Sequence, residues 1–497
     1  MTTFEEFKKL TQQGNIIPIY EEVAADTETP ISVYLKTREE SAYSFLLESV
    51  EGGEKIGRYT FIGYNPFMVF EIRGRSFTIK PRHPDVTVLP SLVNASMSPL
   101  EALKTIFAHC KTVPIPGLPR FTGGAVGYFG YETAQLLENI PSAPVDDLKL
   151  NDATLMFFDT LLVFDGVRRN VLAIANAYVP PGIHETQLFE EYQKACTEIE
   201  RLKTLLLEKE ISKPSPSSTT GGLKFSMSKQ EFVSNVEKAK KYIVEGDIFQ
   251  VVLSQRSEMK LDADPFNVYR MLRTVNPSPY LYFLAIDGLN IIGSSPELLV
   301  RVENGLVETR PIAGTRRRGE TPEEDIRLEK ELLADEKEKA EHLMLVDLGR
   351  NDIGRISEFG SVEVNQFMTV EKYSHVMHIV SNIRGKLRKG MSAVDALYSC
   401  FPAGTLSGAP KIRAMQIIAE LENLKRGVYG GAIGYLDFSG NLDSCIAIRT
   451  IVMKDGTAYF HAGAGIVHDS VPDNEYQESL DKMASSLRAV EQLNKKS

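Results

Sequence analysis

Two pairs of glutamates have the spacing of a paired-carboxylate site. Glu338 and Glu341 are three apart in KEKAEHL, and Glu475 and Glu478 are three apart in NEYQESL. Residues i and i+3 share a helix face, so each pair presents two carboxylates to one point. Oxygen-only donors of this kind suit Mg²⁺. Glu341 shares a stripe with Leu345 and Leu348, and a carboxylate on a half-buried stripe needs a partner. The plain alternative for any one of the four is a solvated helix face. The last helix fits that alternative on its own. Leu480, Met483, Leu487 and Val490 form its apolar side, and Glu478 points away from them. Glu478 matters only if that polar side lines a cleft.

Three glycine-rich turns are suited to anions. They are PIAGT at Pro311–Thr315, followed by Arg316, Arg317 and Arg318; PAGTLSGAPK at Pro402–Lys411; and AGAGIV at Ala462–Val467. Glycine lets backbone N–H groups approach an oxyanion, and helix N-termini favour negative charge. None is a phosphate-binding P-loop, because GTLSGAPK lacks the GK[ST] ending. Together with Arg449, they suggest a ligand with more than one carboxylate. His375 and His378, in KYSHVMHIVSNI, lack the HExxH metal spacing. Each reads on its own as a satisfied core histidine, and His378 becomes a catalytic candidate only in company.

The elements that must position these residues fall into two lobes. A chain of 497 residues exceeds what one core normally organises. SKPSPSSTTGG, ending at Gly222, reads as a solvated linker. The expected division is residues 1–210, a linker at 211–222, and residues 223–497. Strands are expected at Tyr59–Ile62, Met68–Ile72, Leu155–Phe164, Gln250–Leu253, Tyr280–Ile286 and Asn290–Gly293. Helices are expected near Glu185–Glu210, Lys229–Glu245, Pro322–Leu348, Ala409–Leu424 and Asn474–Leu493. The order is not a regular βαβ alternation, so an α+β plan with large antiparallel sheets is preferred. GGAVGYF at Gly123–Phe129 and GGAIGYL at Gly430–Leu436 echo each other. They are either two similar glycine-hinged strands or parts of two related sheet halves.

Composition narrows the function classes. Hydrophobic content of 43% excludes wholesale disorder. A net charge of −10 argues against nucleic acid as a partner. No run of 18 apolar residues marks a membrane span, and no signal peptide is visible, so the expected location is the cytoplasm. Cys110, Cys196, Cys400 and Cys445 have no CxxC spacing, so they read as thiols in a reducing compartment. There is no tryptophan at all, beside 24 Phe and 19 Tyr.

Taken together, PIAGTRRRG, EHLMLVDLGRND, YSHVMHIVSNI, PAGTLSGAPK, YGGAIGYL, CIAIRT and the AGAGIV-to-NEYQE segment resemble the chorismate-utilising enzymes, and within them the anthranilate-forming branch. The resemblance spans nearly all of residues 225–490, and LLES with GGAVGYFGYE extends it into the first lobe. It implies two lobes on large antiparallel sheets, an orthogonal sandwich-like core with helices outside, and an active-site cleft in the C-terminal lobe. It implies a Mg²⁺-dependent lyase that turns chorismate and ammonia into anthranilate and pyruvate, the first step of tryptophan biosynthesis. Glu341 and Glu478 would hold the metal, with Glu338 and Glu475 supporting through water. Gly314, Thr315 and the Thr405 hydroxyl would complete the ring-carboxylate end. Tyr429, Arg449, Gly463, Ala464, Gly465 and Lys482 would hold the enolpyruvyl carboxylate. Glu297, in SSPE, would protonate the departing 4-hydroxyl, and His378 would assist loss of pyruvate.

Two positions choose among sister activities. Water-activating relatives carry Lys where this chain has Gln250, and Gln has no basic nitrogen. Aminodeoxychorismate synthases typically carry a nucleophilic Lys where this chain has Ala313, which cannot form a covalent adduct. The rival readings are an aminodeoxychorismate synthase component and a catalytically silent tryptophan sensor on the same fold. None of the four cysteine contexts fits a glutaminase nucleophile, so a separate glutaminase subunit and a hetero-oligomer are expected. Feedback inhibition by tryptophan is implied at Glu48, Ser49, Pro279, Tyr280, Leu281 and Cys445.

Overall fold

The computed structural model describes residues 2–48, 57–82, 88–211, 218–219, 221–373 and 376–496. Ser49, His375 and most of the expected linker lie outside the described residues.

The first half of the chain contributes nine strands. They are β1 (Ile16–Ala24), β2 (Tyr43–Glu48), β3 (Tyr59–Tyr64), β4 (Met68–Arg73), β5 (Ser76–Pro81), β6 (Gly124–Phe129), β7 (Ala153–Phe158), β8 (Thr160–Asp165) and β9 (Asn170–Tyr178). The second half contributes β10 (Ser218–Thr219), β11 (Lys224–Phe225), β12 (Gln250–Asp262), β13 (Tyr280–Ile286), β14 (Leu289–Ser295), β15 (Leu298–Glu303), β16 (Leu306–Thr309), β17 (Ile312–Arg317), β18 (Glu363–Lys372), β19 (Val376–Lys386), β20 (Gly408–Ala409), β21 (Ala432–Asp437), β22 (Leu442–Ile446), β23 (Thr450–Lys454) and β24 (Thr457–Ile466).

These strands form two antiparallel sheets, and both halves of the chain enter each sheet. The 13-stranded sheet runs β1-β9-β8-β3-β2-β13-β14-β23-β24-β12-β10, with β11 and β20 also paired to β12, and the 11-stranded sheet runs β17-β19-β16-β15-β22-β21-β6-β7-β4-β5, with β18 also paired to β19. The order is mirrored about the central pairs, β2–β13 and β6–β21. Outward from β2 come β3, β8, β9 and β1; outward from β13 come β14, β23, β24 and β12. The two halves are therefore related repeats. The helix after β9 (Glu185–Glu208) corresponds to the helix after β24 (Pro472–Lys496).

The echoed glycine motifs sit at this centre. Gly127 and Gly434 face each other across β6 and β21. A Cβ at Gly127 would lie 1.9 Å from the Thr154 carbonyl oxygen, and one at Gly434 would lie 2.1 Å from that of Asp443. Both positions need glycine because neighbouring backbones approach that closely.

Strand alternation sorts side chains into layers. In β2, Phe45 enters a core shared by both sheets, with Phe61, Tyr128, Met156, Tyr282 and Ile433. Its neighbour Leu46 faces the opposite way, toward Tyr34, Leu202, Phe266 and Met483 on covering helices. Each fully buried Phe or Leu contributes about 1.5–3 kcal/mol of burial free energy before ordering costs. The α+β plan of large antiparallel sheets covered by helices is thus as expected.

Three sequence expectations change. The helix expected over Pro322–Leu348 is two helices, Pro322–Ala334 and Glu336–Gly354. Asp335 breaks it, since its carboxylate accepts from the backbone N–H groups of Lys337 and Glu338 as an N-cap. The strand expected over Leu155–Phe164 is also two, because at Asp159 the chain leaves the second sheet for the first. The strand expected over Gln250–Leu253 continues to Asp262. Its polar stretch Ser254, Gln255 and Arg256 is buried, and these side chains donate to Glu422, Ser479 and Asp147.

The repeats differ in one large insertion. Between β16 and β21 the second half adds β17, β18, β19 and the helix Glu336–Gly354. That insertion carries Gly314, Thr315, Glu338, Glu341 and His378.

Candidate active site

The site forms at corners where the chain crosses between sheets. Glu297 lies between β14 and β15, and Arg449 lies between β22 and β23. Arg449 adopts φ +51°, the left-handed region that non-glycine residues avoid. Such strain clusters at functional positions.

Thr405 donates its hydroxyl hydrogen to Glu297 Oε1 at 2.9 Å. Burial pushes the Glu297 carboxyl up to about 7, against the opposing pull of Thr405, Arg449 and Lys482. A carboxyl in this range can hold a proton near neutrality and give it away. The Arg449 guanidinium is enclosed, and burial lowers its pKa, with Tyr429, Glu297 and Glu478 opposing. Among the described residues no carboxylate forms an ion pair with it. An enclosed planar cation without an anion is a ready receptor for a carboxylate.

Gly463, Ala464 and Gly465 lie on β24 opposite Ser254, Leu253 and Val252 of β12. A Cβ at Gly465 would stand 2.7 Å from Gln250 Nε2, so glycine leaves the space this amide fills. Lys482 Nζ reaches the Gly463 carbonyl at 3.1 Å and pairs with Glu478 at 2.6 Å. Tyr429 is almost fully buried, and burial raises its hydroxyl to about 12.

Thr315 pairs with His378 across β17 and β19, beside a register shift at Ala313–Thr315. Gly314 has φ +69°. His378 Nδ1 lies 3.0 Å from the Gly314 carbonyl oxygen and 3.1 Å from Thr315 Oγ. A carbonyl can only accept, so Nδ1 carries the proton and Nε2 keeps its lone pair. Burial also lowers the His378 pKa, favouring the neutral ring.

Glu341 is half-buried against one weak partner, the Gln250 amide at 3.4 Å. Burial and then the Glu338 charge raise its pKa. Glu338 is paired with Arg316 at 3.2 Å. Burial raises Glu475, with Ser470 opposing and Glu478 adding to the rise. Glu341 and Glu475 both feel the charges of Lys337 and Lys482, so these two carboxylates lie within electrostatic reach of the same two lysines. Among the described residues no three ligand-type side chains already converge on one point. The under-partnered Glu341 and an all-carboxylate donor set fit a hard divalent cation.

Five of the residues assigned to tryptophan line a second cavity, between the central pairs of both sheets. They are Glu48, Pro279, Tyr280, Leu281 and Cys445. Glu48 accepts from Arg273 at 2.6 Å and from the Tyr269 hydroxyl. Tyr280 donates to Asp443 at 3.0 Å, and Asp443 also holds Arg120 and Arg301.

Sequence reasoning missed a buried polar group under Tyr429, made of His461, Ser254, Glu422 and Arg426. Nothing in their spacing marks them, although His461 directly precedes the AGAG turn.

A family model described as chorismate binding enzyme matches residues 85–488. The chain belongs to the chorismate-binding enzymes. Other members of this family match it over almost its whole length. "Anthranilate synthase component 1" from Acetivibrio thermocellus is 51% identical, covering 99% of this chain and 98% of its own. The same-named protein from Aquifex aeolicus is 46% identical, covering 98% of this chain and 97% of its own. The crystal structure of anthranilate synthase component I from Streptococcus pneumoniae aligns with a TM-score of 0.72 at 40% identity, covering 88% of this chain and 95% of that one. A menaquinone-specific isochorismate synthase from Escherichia coli aligns with a TM-score of 0.71 at 20% identity, a likeness of fold alone. Among the described residues of this family member, no helix is long and apolar enough to cross a membrane.

Proposed function

We propose that the chain is the aminating component of an anthranilate synthase, a lyase that converts chorismate and ammonia to anthranilate and pyruvate. The observation that carries this reading is the pairing of an enclosed, unpaired Arg449 with Glu297, a carboxyl raised to about 7. A dicarboxylate whose hydroxyl must leave needs both an anion receptor and an acid. Gln250 and Ala313 leave no lysine to activate water or to attack the ring.

Arg449, Tyr429, Lys482 and the Gly463–Gly465 backbone hold the enolpyruvyl carboxylate. Glu297, oriented by Thr405, gives its proton to the 4-hydroxyl, which leaves as water while ammonia adds at ring C2. His378, with Nε2 free, assists the loss of pyruvate. Gly314 and Thr315 shape the ring-carboxylate end. Glu341 and Glu478, supported by Glu338 and Glu475, would hold Mg²⁺. A cation there supplies Lewis-acid charge to the ring carboxylate. Glu478 holding a cation would give up its pairing with Lys482, whose ammonium would then be available to the enolpyruvyl carboxylate. The chain acts in the cytoplasm with a separate glutaminase subunit, and its units are residues 1–210 and 223–497 joined at 211–222.

The purified chain, given chorismate, MgCl₂ and an ammonium salt, is expected to produce anthranilate fluorescence. EDTA should abolish the signal, and Glu341→Ala should reduce it on the order of 100-fold or more. Full activity in Glu341→Ala would refute the metal assignment. Isochorismate or aminodeoxychorismate as product would refute the reading of Gln250 or Ala313.

The cavity lined by Glu48, Tyr280 and Cys445 is proposed to take tryptophan as a feedback inhibitor. Cys445→Met puts extra volume into that cavity, at an overpacking cost of about 1–3 kcal/mol. Inhibition by tryptophan should weaken at least about tenfold, while ammonia-dependent turnover stays within roughly twofold. The chain has no tryptophan of its own, so fluorescence of the added amino acid reports binding directly. Unaltered inhibition would remove the assignment.

A further inference from the structure

Tyr429 rests on a second aromatic ring. The His461 imidazole stacks on it with centroids 4.2 Å apart and planes 10° apart. His461 is fixed in turn. Its Nε2 lies 2.9 Å from Ser254 Oγ. The Ser254 hydroxyl and backbone N–H both donate to Glu422 Oε1, at 2.9 and 2.8 Å. The serine hydrogen is thereby used, so its oxygen must accept, and His461 must present Nε2–H. Glu422 is locked by Arg426, whose Nε and one terminal nitrogen reach its two oxygens at 2.8 and 2.7 Å. Arg426 also donates to the carbonyls of Leu406 and Val252. Glu132, from the first repeat, accepts the backbone N–H groups of Arg426 and Gly427. Ser254, Glu422, Arg426 and Glu132 are buried and His461 is half-buried, and the chain of bonds ends at the ring face of Tyr429.

We infer that His461 is a positioning residue for this reaction, acting on chorismate through Tyr429. The inference rests on the reading above, in which Tyr429 holds the enolpyruvyl carboxylate. A phenol that binds a carboxylate must keep its oxygen within a few tenths of an ångström of one place. The Tyr429 hydroxyl has no hydrogen bond among the described residues to keep it there. The flat stack supplies that constraint, and the Ser254 bond stops the imidazole from turning. Arg426, 5.7 Å from the Tyr429 ring centroid, closes the same pocket from another side.

The test is a double-mutant cycle on the purified chain with chorismate, MgCl₂ and ammonium. His461→Ala should raise KM for chorismate about 3- to 10-fold, the range expected for one aromatic pair, with kcat within roughly threefold. His461→Phe keeps the stack and should restore most of KM. His461→Gln keeps the Ser254 bond and should not. In a Tyr429→Ala background, His461→Ala should change KM no further. Additive effects in the double variant would overturn the inference, as would an unchanged KM in a folded His461→Ala chain. A wild-type chain that makes no anthranilate would instead sink the functional reading and leave the stack a structural fact.

Discussion

Glu297→Gln is expected to lower turnover by roughly 10²–10⁴-fold, the range that a positioned general acid contributes. Chorismate binding should change little, because Gln keeps the shape and still accepts from Thr405. The pH dependence carries a clear sign. The wild-type carboxyl is raised to about 7 by burial, so the proton donor is present below about pH 7 and lost above it. With the concentration of neutral NH₃ held fixed, kcat/KM should fall tenfold per unit above that point. The residual activity of the glutamine variant should lack this limb. Stability runs the same way. A carboxyl whose folded pKa exceeds its unfolded value of about 4.3 stabilises least where it must be ionised. The wild type therefore loses stability as pH climbs from about 4.3 to about 7, and Glu297→Gln removes that loss. The variant should be about 1–3 kcal/mol more stable than wild type at pH 8, and nearly equal at about pH 4. A variant with lower stability at pH 8, or with an unchanged alkaline limb, would contradict a buried acid at this corner.

Local patterns were legible in the sequence; long-range pairing was not. The i, i+3 spacing of Glu338 with Glu341, and of Glu475 with Glu478, put each pair on one helix face, and Glu341 and Glu475 feel the charges of the same Lys337 and Lys482. Several of the elements that helix and strand periods named, such as Glu185–Glu208, Lys229–Val244 and Tyr280–Ile286, lie within a few residues of their expected bounds. What periodicity cannot carry is which strand pairs with which. β2 meets β13 across nearly half the chain and β6 meets β21 across more than half of it, and only the echoed glycines hinted at it. Turn points hidden inside apolar runs were also missed. Asp159 sits in a continuous apolar stretch, yet it moves the chain from one sheet to the other. Arg449 is its counterpart in the second repeat, which is why a corner residue and not a strand residue reaches the site. Buried polar groups were the other gap. Ser254, Glu422 and Arg426 satisfy one another across distant segments, and no window of sequence contains that information.

Arg449→Met should separate stability from function in opposite directions. Arg449 breaks two local rules at once. It takes a left-handed φ, and it keeps a guanidinium enclosed without an ion pair to any carboxylate of the described residues. Burial is the leading cause of its lowered pKa, which means the charged form is poorly solvated where it stands. Met removes the desolvation cost and nearly matches the stem, so the variant should melt about 1–3 °C higher than wild type. Chorismate should then lose the partner of its carboxylate inside an enclosed site. Truncating one side of such a pair costs about 2–5 kcal/mol, so kcat/KM should fall on the order of 10²–10³-fold. Arg449→Lys keeps the charge but loses the planar fork, and should recover only part of that fall. Thermal melts with kinetics on the same preparations decide the matter. If Met lowered the melting temperature, or if affinity survived in a more stable variant, Arg449 would be a structural cation whose partner lies elsewhere. A more stable and nearly inactive chain would mean that the strain at this corner is retained for the substrate it receives.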